Sequence, residues 1–482
     1  MPTQEVSPLS ARVRQLTRRL AGRLNAHDAC RVVIGLVYLR NRAQIDSLDV
    51  FGSHAKPSWF WLVEQARAPQ PLGPHVRMAL TQWLSPAFAP ADTEAGKDYL
   101  PRLPATIDDD LRSLVRAIDK VDRVGDLLEQ CLEDLSNSQA KGGHYFTPRD
   151  IVRLMVAAAA PQDGHHVLDP VCGSAGLLAE ADRHVREQTG LQPSLVLTGR
   201  DLHAGTLQIA QLNLAVRGIP ADLGTPVDSL AQPSSRPYDI VLANPPFNDP
   251  SWGSEVPPSQ DPRWPGMPTP PRDKANFAWI LHIAHALAPQ GRAAFLMADG
   301  AARGVRPAER AIRQYLVRED LIEAVVALPP GLFSHTRIPC CLWLLNRDKS
   351  PHRGWGSSDR RNNVLFINAR RANERVPGAR QWRLTADGAE KIQRTLAAWR
   401  GALPPDGEQA RYEDEPGWCR SCSAENIAEH DYEVLPLSYA SEQGDDDVTE
   451  LWRIDELKQE LYGKFEEAHL LERDLRRMLE EL

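Results

Sequence analysis

Asn244, Pro245, Pro246 and Phe247 follow directly on the aliphatic run 240–243. An amide, two rigid rings and an aromatic face are an unusual way to leave a strand, and each answers a chemical need. An exocyclic amine of a nucleobase is a poor nucleophile because its lone pair is delocalised into the ring. Two acceptors aimed at its hydrogens, the Asn244 amide oxygen and the Pro245 carbonyl, favour the pyramidal amine and ease its attack on an electrophile. The prolines fix that geometry, since each ring sets φ. Phe247 then offers a face on which a base removed from its duplex can stack. A lone aromatic at a strand end belongs more often to a core; the four residues together point to group transfer onto an amine.

A second constellation lies upstream in "VLDPVCGSAGLL". Asp169 ends an aliphatic run, and Gly173, Ser174 and Gly176 open the next helical stretch. Small residues let backbone amides approach a ligand, and an acid at a strand tip can bind a hydroxyl or a charged amine. Neither G-x-G-x-x-G nor a Walker lysine is present, so a ligand with a positive or neutral head fits better than a phosphate. A tight turn without a ligand is the plainer alternative. Asp201, in "GRD", ends the following run, the expected place for an acid that takes both hydroxyls of a ribose. Asp228, in "VDSL", is expected to follow a third strand, where a carboxylate can accept from the exocyclic amine of an adenine; otherwise it is a solvated loop acid.

These residues need a scaffold. From about 165 to 347 short aliphatic runs alternate with stretches carrying apolar residues at i, i+3 and i+4, which predicts an α/β fold with a largely parallel, doubly wound sheet covered by helices on both faces. Ligands of such sheets bind beyond the carboxyl ends of the strands, where the residues above fall. Residues 1–140 read as a helical domain, with "RVVIGLVYLR" a helix or a strand. Thr147, Pro148 and Asp150 read as a helix start that opens the domain 141–350. Residues 351–445 read as an α+β extension. In 446–482, Ile454, Leu461, Ala468, Leu475 and Leu482 recur every seven residues, with Leu457, Leu471 and Met478 at the second apolar position. That tail is expected to be a coiled-coil-like helix that docks on a partner.

Composition sets further limits. The chain has 482 residues, 42% hydrophobic and 25% charged, enough for a large core. No run of eighteen apolar residues and no signal-like start occur, so no membrane span is expected and the location is read as cytoplasmic. Seven scattered cysteines argue for reduced thiols; Cys419 and Cys422 have metal-like spacing but no second pair, and no metal is expected. The net charge of −8 has the wrong sign for binding nucleic acid by bulk electrostatics, so any such contact must be local or shared. The stretch from Pro250 to Pro271 carries eight prolines with Trp252 and Trp264, and is expected to order over DNA or a partner.

"KGGHYFTPRDIVRLMV", "DPVCGSAGLL", "DIVLANPPFND", "DPRWPG" and "LIEAVVALPPGLF" resemble the modification subunit of type I restriction-modification systems. The resemblance covers about 125–347, and returns in "CSAENIAEHDYEVLPLSYA". It implies a class I methyltransferase domain of Rossmann-like form, S-adenosyl-L-methionine as methyl donor, and adenine N6 of double-stranded DNA as acceptor. Tyr145, Phe146, Thr147 and Pro148 are implied to help hold the cofactor, with Asp169, Gly173, Ser174 and Gly176 as its loop, Asp201 as the ribose acid and Asp228 as a further contact. Asn244 to Phe247 are implied to be the catalytic tetrapeptide. The implied partners are a specificity subunit, met through the C-terminal helix, a second copy of the chain, and a restriction or translocase subunit. His144 and Ala175 depart from the family pattern. Two other readings stand beside this one: a protein-glutamine methyltransferase, whose tetrapeptide usually ends in tyrosine, and a non-catalytic scaffold of a defence complex.

Overall fold

A computed structural model of the chain describes residues 8–24, 26–46, 57–88, 103–121, 147–232, 236–249, 267–333, 338–352, 355–376, 382–402 and 411–441, with 234, 252 and 261–264 between them. Two compact units account for it: residues 1–147 with 161–232, and residues 148–160 with 233–482.

The first unit begins with helices α1 (Pro8–Ala21), α2 (Ala26–Asp46), α3 (Trp59–Gln65), α4 (Gly73–Phe88) and α5 (Asp108–Asp119). "RVVIGLVYLR" is the middle of α2, and Val32 to Leu39 are buried on every side, the pattern of a helix enclosed by others. Gly35 permits that enclosure, because a Cβ there would meet Leu80 Cδ2 at 2.8 Å. The same core takes in Ile209, Leu212 and Val216 of a later helix, α8 (Ala204–Val216), so the N-terminal helices pack directly on the helix that follows Asp201. Strands β1 (His166–Asp169) and β2 (Val196–Gly199) run parallel, with helix α7 (Gly176–Thr189) between them in the chain.

The second unit starts with α6 (Arg149–Ala159). Here the expected capping arrangement is corrected. The helix begins at Arg149 with Pro148 at the cap position, and the Asp150 carboxylate accepts from the Leu384 amide at 2.8 Å as well as from amides of its own first turn. Among the described residues six strands of one sheet follow: β3 (Tyr238–Ala243), β4 (Leu287–Ala298), β5 (Ile322–Ala327), β6 (Cys340–Asn346), β7 (Asn363–Asn368) and β10 (Cys419–Ser423), in the spatial order β10-β7-β5-β6-β4-β3. Helix α9 (Asn276–Ala286) lies between β3 and β4 in the chain, and α10 (Asp299–Arg303) and α11 (Pro307–Arg318) lie between β4 and β5. The sheet is mixed: β3, β4, β5 and β7 run in one direction, as expected, and β6 and β10 run against them. β3 pairs with β4, and β5 with β7, in parallel, but β6 lies antiparallel to both β4 and β5. The reason is the connection: no helix separates β5 from β6 among the described residues, and a strand that returns without a crossover must run antiparallel. The residues after 350 extend this sheet through β7 and β10, and add a short hairpin of β8 (Asn373–Arg375) and β9 (Trp382–Leu384).

One buried ionic cluster ties the unit together. Glu323 of β5 accepts from Arg400 at 3.0 and 2.7 Å and from Arg360, while Arg400 Nη1 reaches the Ala158 carbonyl at 2.9 Å. Burial opposes the Glu323 charge, but the Arg400 and Arg360 guanidinium groups overcome it and hold the carboxyl at about 2. Helix α12 (Ala386–Arg400) and helix α6 are thereby fixed to the middle of the sheet.

Candidate functional site

In the first unit, Asp169 ends β1 and is 1% exposed. Its carboxylate accepts from the Val171 amide at 3.1 Å. Burial pushes it up to about 8; the Val171 hydrogen bond opposes this and the charge of Asp201 adds to it. The chain then turns through Gly173 (φ 52) and Ala175 (φ 61), both left-handed, before α7 begins at Gly176. A Cβ on Gly173 or Gly176 would meet nothing within 4 Å, so both glycines border open space and leave room for a ligand against the backbone. Gly199 is the opposite case: a Cβ there would strike Leu223 at 2.6 Å and Cys172 Sγ at 3.0 Å.

Asp201 stands just beyond β2, where its oxygens accept from the Gly173 amide at 3.2 Å and the His203 amide at 2.9 Å. The loop and the second acid are therefore one built structure. No regular strand precedes Asp228. Residues 222–227 instead form an irregular segment that bends after Gly224 (φ 59), with a single parallel bridge from Asp222 to Thr198 and a bond from the Val227 amide to the Asp201 carbonyl at 2.9 Å. Gly224 and Pro226 explain why no ladder forms there. Asp228 still arrives beside Asp201, and accepts from the Leu230 amide at 2.9 Å.

Two supports escaped the sequence reading. Asn213 of α8, 1% exposed, donates to the Ser174 carbonyl at 2.7 Å, and the Ser229 hydroxyl donates to the Pro170 carbonyl at 2.6 Å. An asparagine on the apolar face of "TLQIAQLNLAV" was the available signal.

In the second unit, Asn244 to Phe247 leave the end of β3. Pro245 is buried, and Asn244, Pro246 and Phe247 are half-buried. The ring of Phe247 meets that of Phe333 edge-on, with centroids 6.3 Å apart and planes at 87°. Asn248 follows at φ 55, a left-handed position that asparagine tolerates. The side chain of Asn276, 4% exposed at the start of α9, clamps it twice. Its oxygen accepts from the Asn248 amide at 2.8 Å, and its nitrogen donates to the Asn248 side-chain oxygen at 2.9 Å. The Ala275 amide adds a bond to the Asp249 carbonyl at 3.0 Å. Neither Phe333 nor Asn276 was singled out from sequence.

Trp252 and Trp264, from the proline-rich stretch, are both buried. They are 8% and 4% exposed, meet edge-on at 6.1 Å, and Trp252 Nε1 donates to the Pro271 carbonyl at 2.9 Å. Beneath them Arg263 pairs with Asp261 and donates to His282 Nδ1 at 3.1 Å; burial, then the Arg263 charge, pushes His282 down to about 3 and keeps it neutral. These two rings are packed inside their unit.

Thr147 is buried and Pro148 half-buried. Tyr145, Phe146, His144 and the tail 446–482 lie outside the described residues. Cys419 and Cys422 sit three apart on β10, and positions three apart on a strand face opposite sides. Among the described residues no group of three or more His, Cys, Asp or Glu could hold a metal ion, and no helix is long and apolar enough to cross a membrane.

Residues 119–447 match the model of the N-6 DNA methylase family. The methylase subunit of the type I restriction enzyme HindI from Haemophilus influenzae is 35% identical over 367 residues, 74% of this chain and 78% of that protein. The MjaIX methylase subunit from Methanocaldococcus jannaschii is 29% identical over 370 residues, 75% of this chain and 63% of that protein. The solved methyltransferase subunit of a type I restriction-modification system from Streptococcus thermophilus shares the fold, with a TM-score of 0.71 at 21% identity over 89% of this chain and 98% of that one. The chain therefore belongs to the N-6 DNA methylase family, among the methylase subunits of type I restriction enzymes, and is by class an adenine-specific DNA methyltransferase.

Proposed function

We propose that this chain transfers a methyl group from S-adenosylmethionine to N6 of an adenine turned out of its duplex, as the modification subunit of a complex with a separate specificity subunit. The observation that carries the reading is the segment 244–247 at the end of β3, pinned by Asn276 and bordered by Phe333. The Asn244 amide oxygen and the Pro245 carbonyl would accept from the two hydrogens of the amine and favour its pyramidal form. Phe247 would hold the extruded base by its face.

The first unit fits the donor. When bound, S-adenosylmethionine supplies a methyl carbon on a positively charged sulfur, together with a ribose and an adenine. Gly173 and Gly176 leave the space its approach needs, and Ser174 lies between them. Asp201 is the acid for the ribose hydroxyls and Asp228 for the adenine amine. Asp169, held protonated by burial near neutral pH, would ionise beside a cationic ligand. Tyr145, Phe146, Thr147 and Pro148 are assigned to the same task from the family pattern. We assign the tail 446–482 to the specificity subunit, and leave a second copy and a restriction subunit as further members of the assembly.

The test is reconstitution with the specificity subunit and analysis of the product nucleosides, which should contain N6-methyladenine. Phe247→Ala should lose roughly 1–3 kcal/mol of productive base binding, the usual worth of one base on one aromatic, and Phe247→Trp should retain most activity. A mismatched target adenine should partly rescue the alanine variant; absence of rescue removes stacking as the role of Phe247.

A further inference from the structure

We infer that the β8–β9 hairpin and the first turns of α6 form a sequence-independent DNA contact: a strip of exposed arginines around Trp382 that takes the phosphate backbone of the duplex flanking the target base. The inference rests on the adenine-methylation reading for its choice of partner. Its starting point is the charge problem: a chain of net charge −8 that works on DNA must concentrate positive charge locally.

Arg149 and Arg153 are exposed one turn apart on α6, hence on one face. Arg371, Arg375 and Arg383 are exposed on and beside the hairpin. The bond from the Leu384 amide to Asp150 stitches these two elements together, so their arginines form one patch. Opposing them are Glu374, paired with Arg383 across the hairpin at 2.7 Å, and Asp387 at the start of α12. Asp150 is a third acid beside them; burial raises its carboxyl, and the Leu384 amide and the Arg383 charge oppose that shift. By residue count the arginines of these two elements outnumber the acids named beside them, in a chain that as a whole is acidic.

Trp382 adds the second observation. It is 39% exposed, so part of its ring faces solvent among these arginines. Its amide donates to the Gly331 carbonyl at 3.0 Å, and its ring lies so close over Gly331 that a Cβ there would approach Cδ1 to 2.9 Å. Gly331 stands two residues before Phe333, the ring that borders Phe247. The arginine strip is thus fastened through one short loop to the aromatic face proposed for the base. A cationic strip with a flat ring, continuous with that face, matches a phosphate backbone and its sugars, because phosphate contacts set orientation without reading sequence.

The experiment measures binding of the complex with its specificity subunit to a target duplex and to a scrambled one across a salt series. In the double variant Arg371→Gln, Arg375→Gln the slope of log affinity against log salt should fall by about 0.9 for each phosphate no longer neutralised, and affinity for both duplexes should drop together, on the order of tenfold. S-adenosylmethionine binding and target preference should stay as in wild type, and Arg371→Lys, Arg375→Lys should restore the slope. An unchanged slope overturns the inference. So does a double variant that loses thermal stability at an unchanged slope, which would give these arginines to the fold or to the acidic stretch 442–447 of the same chain. Because binding is read without methyl transfer, a complex that methylates normally with an unaltered slope fails this inference alone, and one that binds through the strip but methylates no adenine fails only the proposed activity.

Discussion

The two loops that carry the proposed chemistry are held by different means. Residues 169–176 of the first unit are shaped by main chain: two left-handed positions, a buried acid bonded to the Val171 amide, and Asp201 bonded to the Gly173 amide. Residues 244–248 of the second unit are shaped by rigid rings and by one side chain, Asn276, that grips Asn248 at two points. A loop built from main-chain conformation leaves space for a ligand and depends on the left-handed backbone at Gly173 and Ala175. A loop built on a side-chain amide depends on the placing of one donor and one acceptor. The two should therefore fail in different ways: the first in affinity for the donor, the second in the rate of transfer.

Among the residues that support the two loops, the largest expected effect sharpens the second half of that contrast. Asn276→Asp keeps shape and the acceptor for the Asn248 amide, but sets an oxygen against the Asn248 side-chain oxygen where a donor stood. The buried amide then loses a bond worth about 1–3 kcal/mol. Displacement of the tetrapeptide should lower kcat on the order of a hundredfold with little change in donor affinity. Asn248→Asp is the control, since a carboxylate at that place still accepts from Asn276 and tolerates the left-handed backbone; it should stay within a few-fold of wild type. Equal losses in the two variants, read by tritium transfer at saturating DNA, would contradict the clamp.

Gly173→Ala addresses the other half. Forcing a side chain into φ 52 costs roughly 1–2 kcal/mol, and the methyl would enter the open space beside the loop. Titration calorimetry should show S-adenosylmethionine bound more weakly by about one order of magnitude. Saturating donor should recover most of kcat, and a variant whose kcat stays low at saturation would place Gly173 on the acceptor side.

The smallest effect is a pH dependence. The Asp169 carboxyl titrates near its ordinary 3.8 in the unfolded chain and at about 8 in the folded one. Between those values the folded state binds more protons, so this group's contribution to stability is lost as pH rises from about 4 to about 8. A cationic ligand favours the ionised form, so donor affinity should rise with pH and level off above about 8, with a proton released on binding. Asp169→Asn should flatten the part of both profiles that this carboxyl supplies; an unaltered affinity profile in that variant would assign the titration elsewhere.

How much of this was readable in the sequence follows from how local each signal was. Asp169, Asp201 and Asn244 were legible because an apolar run ended in a residue of distinct chemistry, and each does stand at a strand end. Asp228 was located, but its strand was not, because Gly224 and Pro226 break the ladder that the apolar pattern suggested. The antiparallel β6 was hidden because its apolar pattern is that of any buried strand; only the missing crossover reverses it. Asn276 is 28 residues from Asn248 across the proline-rich stretch, and Arg371 is more than two hundred residues from Arg149. Pairings of that span carry no periodicity to read.

The most direct measurement concerns Asn244. In the complex reconstituted with its specificity subunit, Asn244→Ala is compared with wild type by tritium transfer to DNA and by calorimetric titration of S-adenosylmethionine. The amide acts on the acceptor amine, so transfer should vanish while donor affinity stays within a few-fold of wild type. Retention of a tenth of the wild-type rate, or loss of donor binding in step with activity, would contradict the assignment of Asn244 as the catalytic amide.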